Sequence, residues 1–335
     1  MDGILKTSMP GNDHPHHAYI AIDGLIVGKP GRSIFEAMHR GGLTAVNFTC
    51  CIWEGFTDSM RAIAQWKKWF KENSDLLMQV YSTRDIERAR ESNRVGVILG
   101  WQNSSGFEDY LPYVPLFHEL GLRVVQMTYH TANLSGSGCL EGHDGGLTDF
   151  GRELVLELNQ AGILIDLSHV GSKSSEQTIL HSRQPVAYTH CAPMALKSHR
   201  RNKTDAEIRF MAEKGGVIGV TMFPPFLRRG NDSTIEDYLD AIEHVIHVAG
   251  EDHTAIGTDF TQGRGPRDME IFLHDKGYAR RLLEIGEVIM PEGIRQIEDF
   301  PNLTTAMGKR GWSEPLIEKV IGGNWMRLFK EVWGA

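Results

Sequence analysis

The sequence predicts an α/β protein of one domain, residues 1–335, folded as a (β/α)8 barrel of the TIM type. Short apolar runs bounded by Gly, Pro or polar residues alternate with segments of helical spacing. This alternation is typical of parallel strands joined by helical crossovers. Eight such runs follow one another without a break in composition, which favours one closed barrel over two doubly wound halves.

The predicted strands are short, as expected for a fully buried parallel sheet. They are residues 18–22, 43–48, 95–99, 122–127, 163–167, 185–188, 216–221 and 254–256. Three of the helices between them are marked by their ends. Thr204 with Glu207, and Ser233 with Glu236, have the spacing of a capping box. Segment 152–160 carries an apolar face and is followed by Gly162, a typical helix terminator.

Two segments are expected to lie outside this repeating pattern. Residues 1–17 contain one Lys and no apolar run, so they resemble neither a signal peptide nor a membrane anchor. We expect a short solvated leader that includes His14, His16 and His17. Residues 261–300 lack an obvious strand and are expected to form a long loop insertion over the barrel, where such loops often act as lids.

Composition excludes several classes of partner. The net charge is -8, and no cluster of Lys and Arg is interleaved with aromatic residues, so nucleic acid is not expected to bind. The four cysteines, at positions 50, 51, 139 and 191, do not resemble a disulfide framework. A cytoplasmic protein without a membrane partner is expected. The partner is then a small molecule, and a homodimer is one candidate assembly.

Polar side chains follow four of the predicted strands. Gln102 follows the third, His169 the fifth, His190 the sixth and Asp259 the eighth. Active sites of this fold form where strands end and βα-loops begin. Neighbouring strands place His169 and His190 about 5 Å apart, which suits two nitrogens on one ion. The pattern therefore predicts a metal site in which a carboxylate ligates the ion or takes a proton from its water.

The alternative is that each His only hydrogen-bonds at the end of its strand, as a lone His usually does. Two His on adjacent strands, with Asp259 on a third, favour the metal site.

From about Gly96 to the C-terminus the chain resembles the membrane (renal) dipeptidase family of the metal-dependent amidohydrolase superfamily. The matching blocks are 146–151 (GLTDFG), 164–169 (LIDLSH), His190 through 200–202 (RRN), 215–217 (GGV) through 224–226 (PPF), 256–260 (IGTDF) and 322–324 (GGN). The resemblance implies a barrel whose members cleave dipeptides with two bridged zinc ions.

The resemblance also implies roles for individual residues. His169 and His190 match the ligands of the family's second metal, and Asp259 matches a carboxylate that acts at the first metal and in proton transfer. Arg201 matches an Arg that grips the substrate carboxylate, as a guanidinium fork can. His130 matches a His that contacts the reacting carbonyl. Without the family match, Arg201 would be interpreted as a surface charge.

The chain departs from the family pattern at the first metal. There the family has a His-x-Asp pair after an Asp-Gly, whereas Leu25 and Val27 follow Asp23-Gly24 here. Gln102 replaces the Glu that bridges the two metals, and a neutral amide cannot screen two cations from each other. The substitute ligands considered are His16, His17, Asp23, His143, Asp144 and Cys191.

These observations predict a mononuclear metal-dependent hydrolase. One divalent transition ion per chain, with zinc expected, would bind His169 and His190, and Gln102 or Asp259 would complete the protein ligands. The substrate would be a small molecule with a carboxylate and an amide or related C–N bond. Two alternatives stay open: a metal-dependent lyase or decarboxylase on a small carboxylate, and a barrel that binds a carboxylate without turnover.

Overall fold

The computed structural model describes residues 14–334, and within that range it contains a parallel sheet of nine strands. They are β1 (Ile22–Ile26), β2 (Ala45–Cys51), β3 (Leu77–Gln79), β4 (Val95–Trp101), β5 (Leu122–Gln126), β6 (Leu164–Asp166), β7 (Ala187–Cys191), β8 (Val217–Val220) and β9 (Thr254–Ile256). Eight strands lie in the order β1-β2-β4-β5-β6-β7-β8-β9, and β3 pairs with the start of β4. A bridge between Ile26 and Phe260 joins the last strand to the first. The predicted (β/α)8 fold class is confirmed.

Helices cover the outside of this barrel. In the described residues they are α1 (Arg32–Arg40), α2 (Phe56–Glu72), α3 (Thr83–Glu91), α4 (Tyr113–Glu119), α5 (Asp149–Ala161), α6 (Ser172–His181), α7 (Asp205–Glu213), α8 (Ile235–Ala249), α9 (Pro266–Leu273), α10 (Pro301–Lys309), α11 (Glu314–Glu318) and α12 (Asn324–Trp333). Thr204 caps α7 as predicted, and Gly162 ends α5 in the left-handed region. The cap of α8 is Thr234, one residue after the predicted Ser233.

The first strand lies four residues later than predicted, at Ile22–Ile26 instead of 18–22. Its Asp23-Gly24 pair is unusual for a strand because both residue types are depleted there. The carboxylate of Asp23 is buried and accepts a 2.8 Å hydrogen bond from Thr258 N, so its polar atoms are satisfied. A Cβ on Gly24 would lie 2.5 Å from the Trp325 ring, so glycine is required for packing.

Trp325 of α12 closes the N-terminal end of the barrel. It is buried in one apolar cluster with the first residues of several strands, including Ile22, Leu164 and Val217. Its indole nitrogen donates a 2.9 Å hydrogen bond to Ile256 O. Because this end is filled, a substrate can enter only at the C-terminal ends of the strands.

The leader was expected to be a solvated tail, but residues 14–17, the part that the structure describes, are packed against the barrel. Residues 1–13 lie outside the described residues, but Pro15–Ala18 forms a 3-10 turn and His16 is fully buried. The His16 ring packs against Phe300 with 5.6 Å between centroids. It also lies against Gly42, in the loop before β2, which is at the N-terminal end of the barrel.

The segment 261–300 follows β9 and contains α9. Its apolar side chains cover the C-terminal ends of the strands. Within residues 14–334, no helix has both the length and the apolar character needed to cross a membrane.

Candidate active site

A cavity of about 420 Å³, including its open mouth, lies at the C-terminal ends of the strands. Four of the predicted site residues line it: Gln102, His130, His169 and Asp259. They come from the segments after β4, β5, β6 and β9. Four distant parts of the sequence therefore meet in one cavity. Gln102, His169 and Asp259 are expected there from the strand-end pattern, and His130 from the family resemblance.

Three histidines form a buried row, of which His130 and His169 line the cavity. His130 Nδ1 lies 3.0 Å from His169 Nδ1, and His169 Nε2 lies 2.9 Å from His190 Nε2. Desolvation lowers the pKa of all three rings well below the usual value, and the nearby positive charge of Arg201 lowers it further. The rings are therefore neutral near pH 7, and each keeps one nitrogen lone pair.

The position of the proton on His190 is fixed by its neighbours. Thr189 Oγ1 donates a hydrogen bond to Asp166 Oδ2 at 2.8 Å, so it must accept from His190 Nδ1, also at 2.8 Å. The Nε2 lone pair of His190 then faces His169. This is a threonine-relayed form of the carboxylate–histidine pairs that orient metal-binding imidazoles.

His169 can present its own Nε2 lone pair in the same direction. In that tautomer its Nδ1–H donates to His130 Nδ1, and no charge is created in the buried row. The Tyr129 ring stacks on His169 with centroids 4.2 Å apart and 23° between the planes, which holds the imidazole in this orientation.

The His169 and His190 pair fits one metal ion. Tetrahedral zinc with bonds of about 2.0–2.1 Å separates two nitrogen ligands by about 3.3 Å, only a few tenths of an ångström more than the 2.9 Å observed. No group of three or more His, Cys, Asp or Glu side chains in residues 14–334 could hold an ion. A third protein donor must therefore be the Gln102 amide, or Asp259 after a movement.

Gln102 has an oxygen available for such a role. Its Nε2 donates to Thr49 Oγ1 at 2.8 Å, whereas its buried Oε1 has no hydrogen-bond partner in the described residues. Burying an unpaired amide oxygen is unfavourable, so this atom is a candidate for contact with a ligand.

The first metal site of the related family does not fit this chain. Leu25 and Val27 are buried at 2% and 3% exposure, and Val27 lines the cavity as an apolar group. Neither side chain has an atom that can bind a cation.

None of the substitute ligands considered lines the cavity; they are His16, His17, Asp23, His143, Asp144 and Cys191. The Asp23 carboxylate is occupied by the backbone and hydroxyl of Thr258. Asp144 caps the first turn of α6. Cys191 accepts a 3.1 Å hydrogen bond from Arg201 Nη1. The structure therefore does not rebuild the first site from these residues.

Asp259 and His130 share an unusual backbone conformation. Their φ angles are +62° and +58°, in the left-handed region that non-glycine residues rarely adopt. Such strain is often found at functional sites, where it aims a side chain. Burial raises the pKa of Asp259 to about 6, although the positive charge of Arg201 opposes this shift. A carboxyl group with this pKa is suited to accept and return a proton near neutral pH.

Arg201 lies behind the histidines and is fully buried rather than a surface charge. Its Nη2 donates to His190 O at 2.7 Å and its Nη1 to Cys191 Sγ, while Nε has no partner in the described residues. Neither Arg201 nor His190 is part of the cavity wall itself. A buried charge normally needs a counter-ion. Arg201 is the main source of positive potential at the site, because its charge lowers the pKa of all three histidines.

Thr189, Asp166 and Tyr129 are missed by the sequence analysis. Asp166 lies within the quoted LIDLSH block, and a carboxylate inside an apolar strand must have buried partners. The need of Asp166 for buried partners is therefore the feature of the sequence that could have identified it. Thr189 immediately precedes His190, but its contact with Asp166 depends on the pairing of β6 with β7.

Comparison with known proteins supports an enzymatic interpretation. The family "Membrane dipeptidase (Peptidase family M19)" matches residues 33–283 and 285–334. An amidohydrolase from Pseudomonas aeruginosa of known structure is 52% identical, with a TM-score of 0.94 over 96% of this chain and 98% of that chain. An uncharacterized dipeptidase from Schizosaccharomyces pombe is 31% identical over 270 residues, which span 78% of this chain but only 59% of that protein.

A more distant structure agrees in fold. A metallo peptidase from Rhodobacter sphaeroides, solved with a phosphinate mimic of the dipeptide L-Ala-D-Ala, is 21% identical. Its TM-score is 0.78 over 94% of this chain and 99% of that chain. The family match covers most of the sequence, from β2 to α12, so the chain belongs to the membrane dipeptidase family and is a metal-dependent hydrolase of the dipeptidase-like amidohydrolase type.

Proposed function

We propose that the protein is a mononuclear hydrolase that cleaves an amide or related C–N bond in a small substrate bearing a carboxylate. The observation that carries this proposal is the facing pair of His169 and His190 nitrogens, 2.9 Å apart, in a site shared with Asp259. His169 and His190 would hold one ion, expected to be zinc, with Gln102 or Asp259 as a further ligand. When bound, the ion supplies Lewis-acid polarisation and acidifies a water molecule.

The side chains of the cavity supply the remaining steps: proton transfer, stabilisation of the oxyanion and exclusion of water. Asp259 takes a proton from the attacking water and returns it to the leaving nitrogen, a role that suits its raised pKa. His130 is the candidate donor to the oxygen that becomes negative as the carbonyl is attacked. The apolar residues of the 261–300 segment exclude bulk water from the cavity.

Arg201 is the proposed partner of the substrate carboxylate. Its guanidinium forms no salt bridge with a described carboxylate and interacts with Asp259 only at longer range, so an anionic substrate would supply a close counter-charge. Both Nη groups bind protein atoms in this structure, and binding by the fork requires at least one of these contacts to be exchanged.

The test compares an N-acetyl amino acid with its methyl ester in the wild type and in Arg201→Lys. Lysine keeps the charge but loses the fork, so kcat/KM for the free acid should fall by about 2–4 kcal/mol in transition-state terms. The ester should lose much less. Arg200→Lys, at the exposed neighbouring position, is the matched control and should change neither.

Two results would contradict this assignment. An equal loss for acid and ester would show that Arg201 only supports His190. Release of carbon dioxide without release of amine would assign a lyase reaction to the site instead.

A further inference from the structure

We propose that the substrate is an N-acyl amino acid whose acyl group is uncharged and apolar, and that the 261–300 segment binds this group. The inference rests on the proposed function, because it concerns the same amide substrate. It describes the acyl group, which lies on the other side of the scissile bond from the carboxylate. It distinguishes the substrate from an ordinary dipeptide, in which the acyl part carries an ammonium group.

Much of the cavity wall is apolar. Side chains from the insertion and from the segment after β8 supply it: Met269, Phe272, Leu273, Leu283, Phe223 and Phe226. Phe272 and Leu273 are only 7% and 5% exposed, so the wall is already shielded from water. An apolar chain of the substrate would complete this packing. Each methylene that it buries should strengthen binding roughly three- to fourfold.

This wall extends to the end of the first strand. Val27 lines the cavity and belongs to one apolar cluster with Ile52, Tyr129 and Phe272. An apolar contact therefore joins the end of the first strand to the insertion beside the cavity.

The cavity offers no dedicated partner for an ammonium group. Asp259 is the one acidic side chain among the described residues that line it, and Gln102 is neutral. An ammonium ion paired with Asp259 would occupy the proposed proton acceptor. An ammonium ion without that partner would be a buried charge, which is strongly unfavourable.

The wall is held in a fixed relation to the reacting residues. Trp53 Nε1 donates to Ile271 O at 2.9 Å, and the Trp53 ring packs against Tyr129 with centroids 5.1 Å apart. Tyr129 in turn stacks on His169. These contacts connect α9 to the histidine row, so an acyl group lying on α9 would have its carbonyl carbon near His169.

The test uses the zinc-loaded full chain and a matched pair of substrates, hexanoyl-alanine and norleucyl-alanine. They differ only by the α-ammonium group. We expect kcat/KM for hexanoyl-alanine to be higher by on the order of 100-fold. In the series from acetyl- to hexanoyl-alanine, kcat/KM should rise roughly three- to fourfold per methylene.

Variants locate the acyl site. Phe272→Ala and Met269→Ala should each flatten the chain-length series, because kcat/KM should fall more for hexanoyl-alanine than for acetyl-alanine. Leu180→Ala, at a site on α6 that is 61% exposed, should leave the series unchanged. A preference for norleucyl-alanine, or an unchanged series in both cavity variants, would overturn this inference alone. Failure to cleave either compound of the pair would overturn the proposed function as well.

Discussion

The chemistry of single residues depends here on which nitrogen of each imidazole carries the proton. A ring that binds an ion must present a lone pair, and its other nitrogen then needs an acceptor. Thr189 and Asp166 meet this need for His190, and His130 meets it for His169. Both acceptors are neutral. His169 has the His130 ring as its acceptor, and His190 has the Thr189 hydroxyl, which lies between His190 and the Asp166 carboxylate.

Removal of the Thr189 hydroxyl should weaken ion binding. In Thr189→Val the shape is kept, but the His190 Nδ1 proton loses its acceptor and Asp166 loses a donor. We expect the affinity for zinc to fall by about 10- to 100-fold, as measured by competition with a chelator. Thr178→Val is the control, because the buried Thr178 hydroxyl bonds only to Ser174 O within α6. Equal zinc affinity in both variants would show that the relay does not orient His190.

Asp259 should lower the stability of the protein near neutral pH. Its pKa is 3.8 when unperturbed and about 6 in the folded state. Between these values the folded state binds more protons than the unfolded state, so stability falls as pH rises through this window. Asp259→Asn should therefore abolish activity but stabilise the metal-free protein at pH 7, by roughly 3 kcal/mol at most.

Urea unfolding of the chelated protein at pH 4 and pH 7 measures this effect. The advantage of Asp259→Asn should be nearly absent at pH 4, where the wild-type carboxyl group is protonated in the folded state. The pKa of Asp23 is also raised, mainly by burial, and the charge of Asp259 adds to this shift. The loss of that charge in Asp259→Asn acts in the same direction, because it lowers the pKa of Asp23 in the folded state. An advantage of the same size at both pH values would contradict the pKa of Asp259.

The strand-end histidines could be predicted from the sequence because each follows an apolar run on a neighbouring strand. Their supporting residues could not. Thr189 contacts Asp166 only because β6 and β7 pair with Asp166 beside Ala187. Neither segment by itself predicts this register. The burial of Arg201 likewise depends on the return of the chain beneath His190 and Cys191.

At the scale of elements, we expect the end of β1 to decide how many ions the site holds. Leu25 and Val27 are apolar where the resemblance to the family predicts two ligands. The predicted bounds of this strand were wrong because the predicted apolar run ends before Asp23, whereas Thr258 satisfies Asp23 within the sheet. The short β3 (Leu77–Gln79) was also missed.

Restoring the ligands of β1 and β4 should restore the second ion. The triple variant Leu25→His, Val27→Asp, Gln102→Glu supplies a His-x-Asp pair and a bridging carboxylate, and Thr49 can donate to a Glu as it now accepts from Gln102. We expect the zinc content to rise from about one to about two per chain. Gln102→Glu alone should stay at about one. A triple variant that is folded but still binds one ion would contradict the assignment of these positions.

At the scale of the whole molecule, the barrel is closed at one end and covered at the other. Trp325 and α12 fill the N-terminal end, and His16 packs on that same side, remote from the histidine row. The 261–300 segment covers the C-terminal ends with apolar side chains. The sequence analysis expected the 261–300 segment to lie over the barrel, but it did not predict that Trp325 closes the other end. The cytoplasmic location and the homodimer stay predictions.

The metal content of the purified protein tests the central claim most directly. Elemental analysis should find about one divalent transition ion per chain, expected to be zinc. His169 and His190 present two facing nitrogens, and no group of three or more His, Cys, Asp or Glu side chains in residues 14–334 could hold a second ion. His169→Ala and His190→Ala should each lose the ion and the activity together, whereas Asp259→Asn should lose the activity and keep the ion. Two ions per chain in the wild type would contradict a mononuclear site, and full activity of a chelated, metal-free protein would contradict the metal mechanism itself.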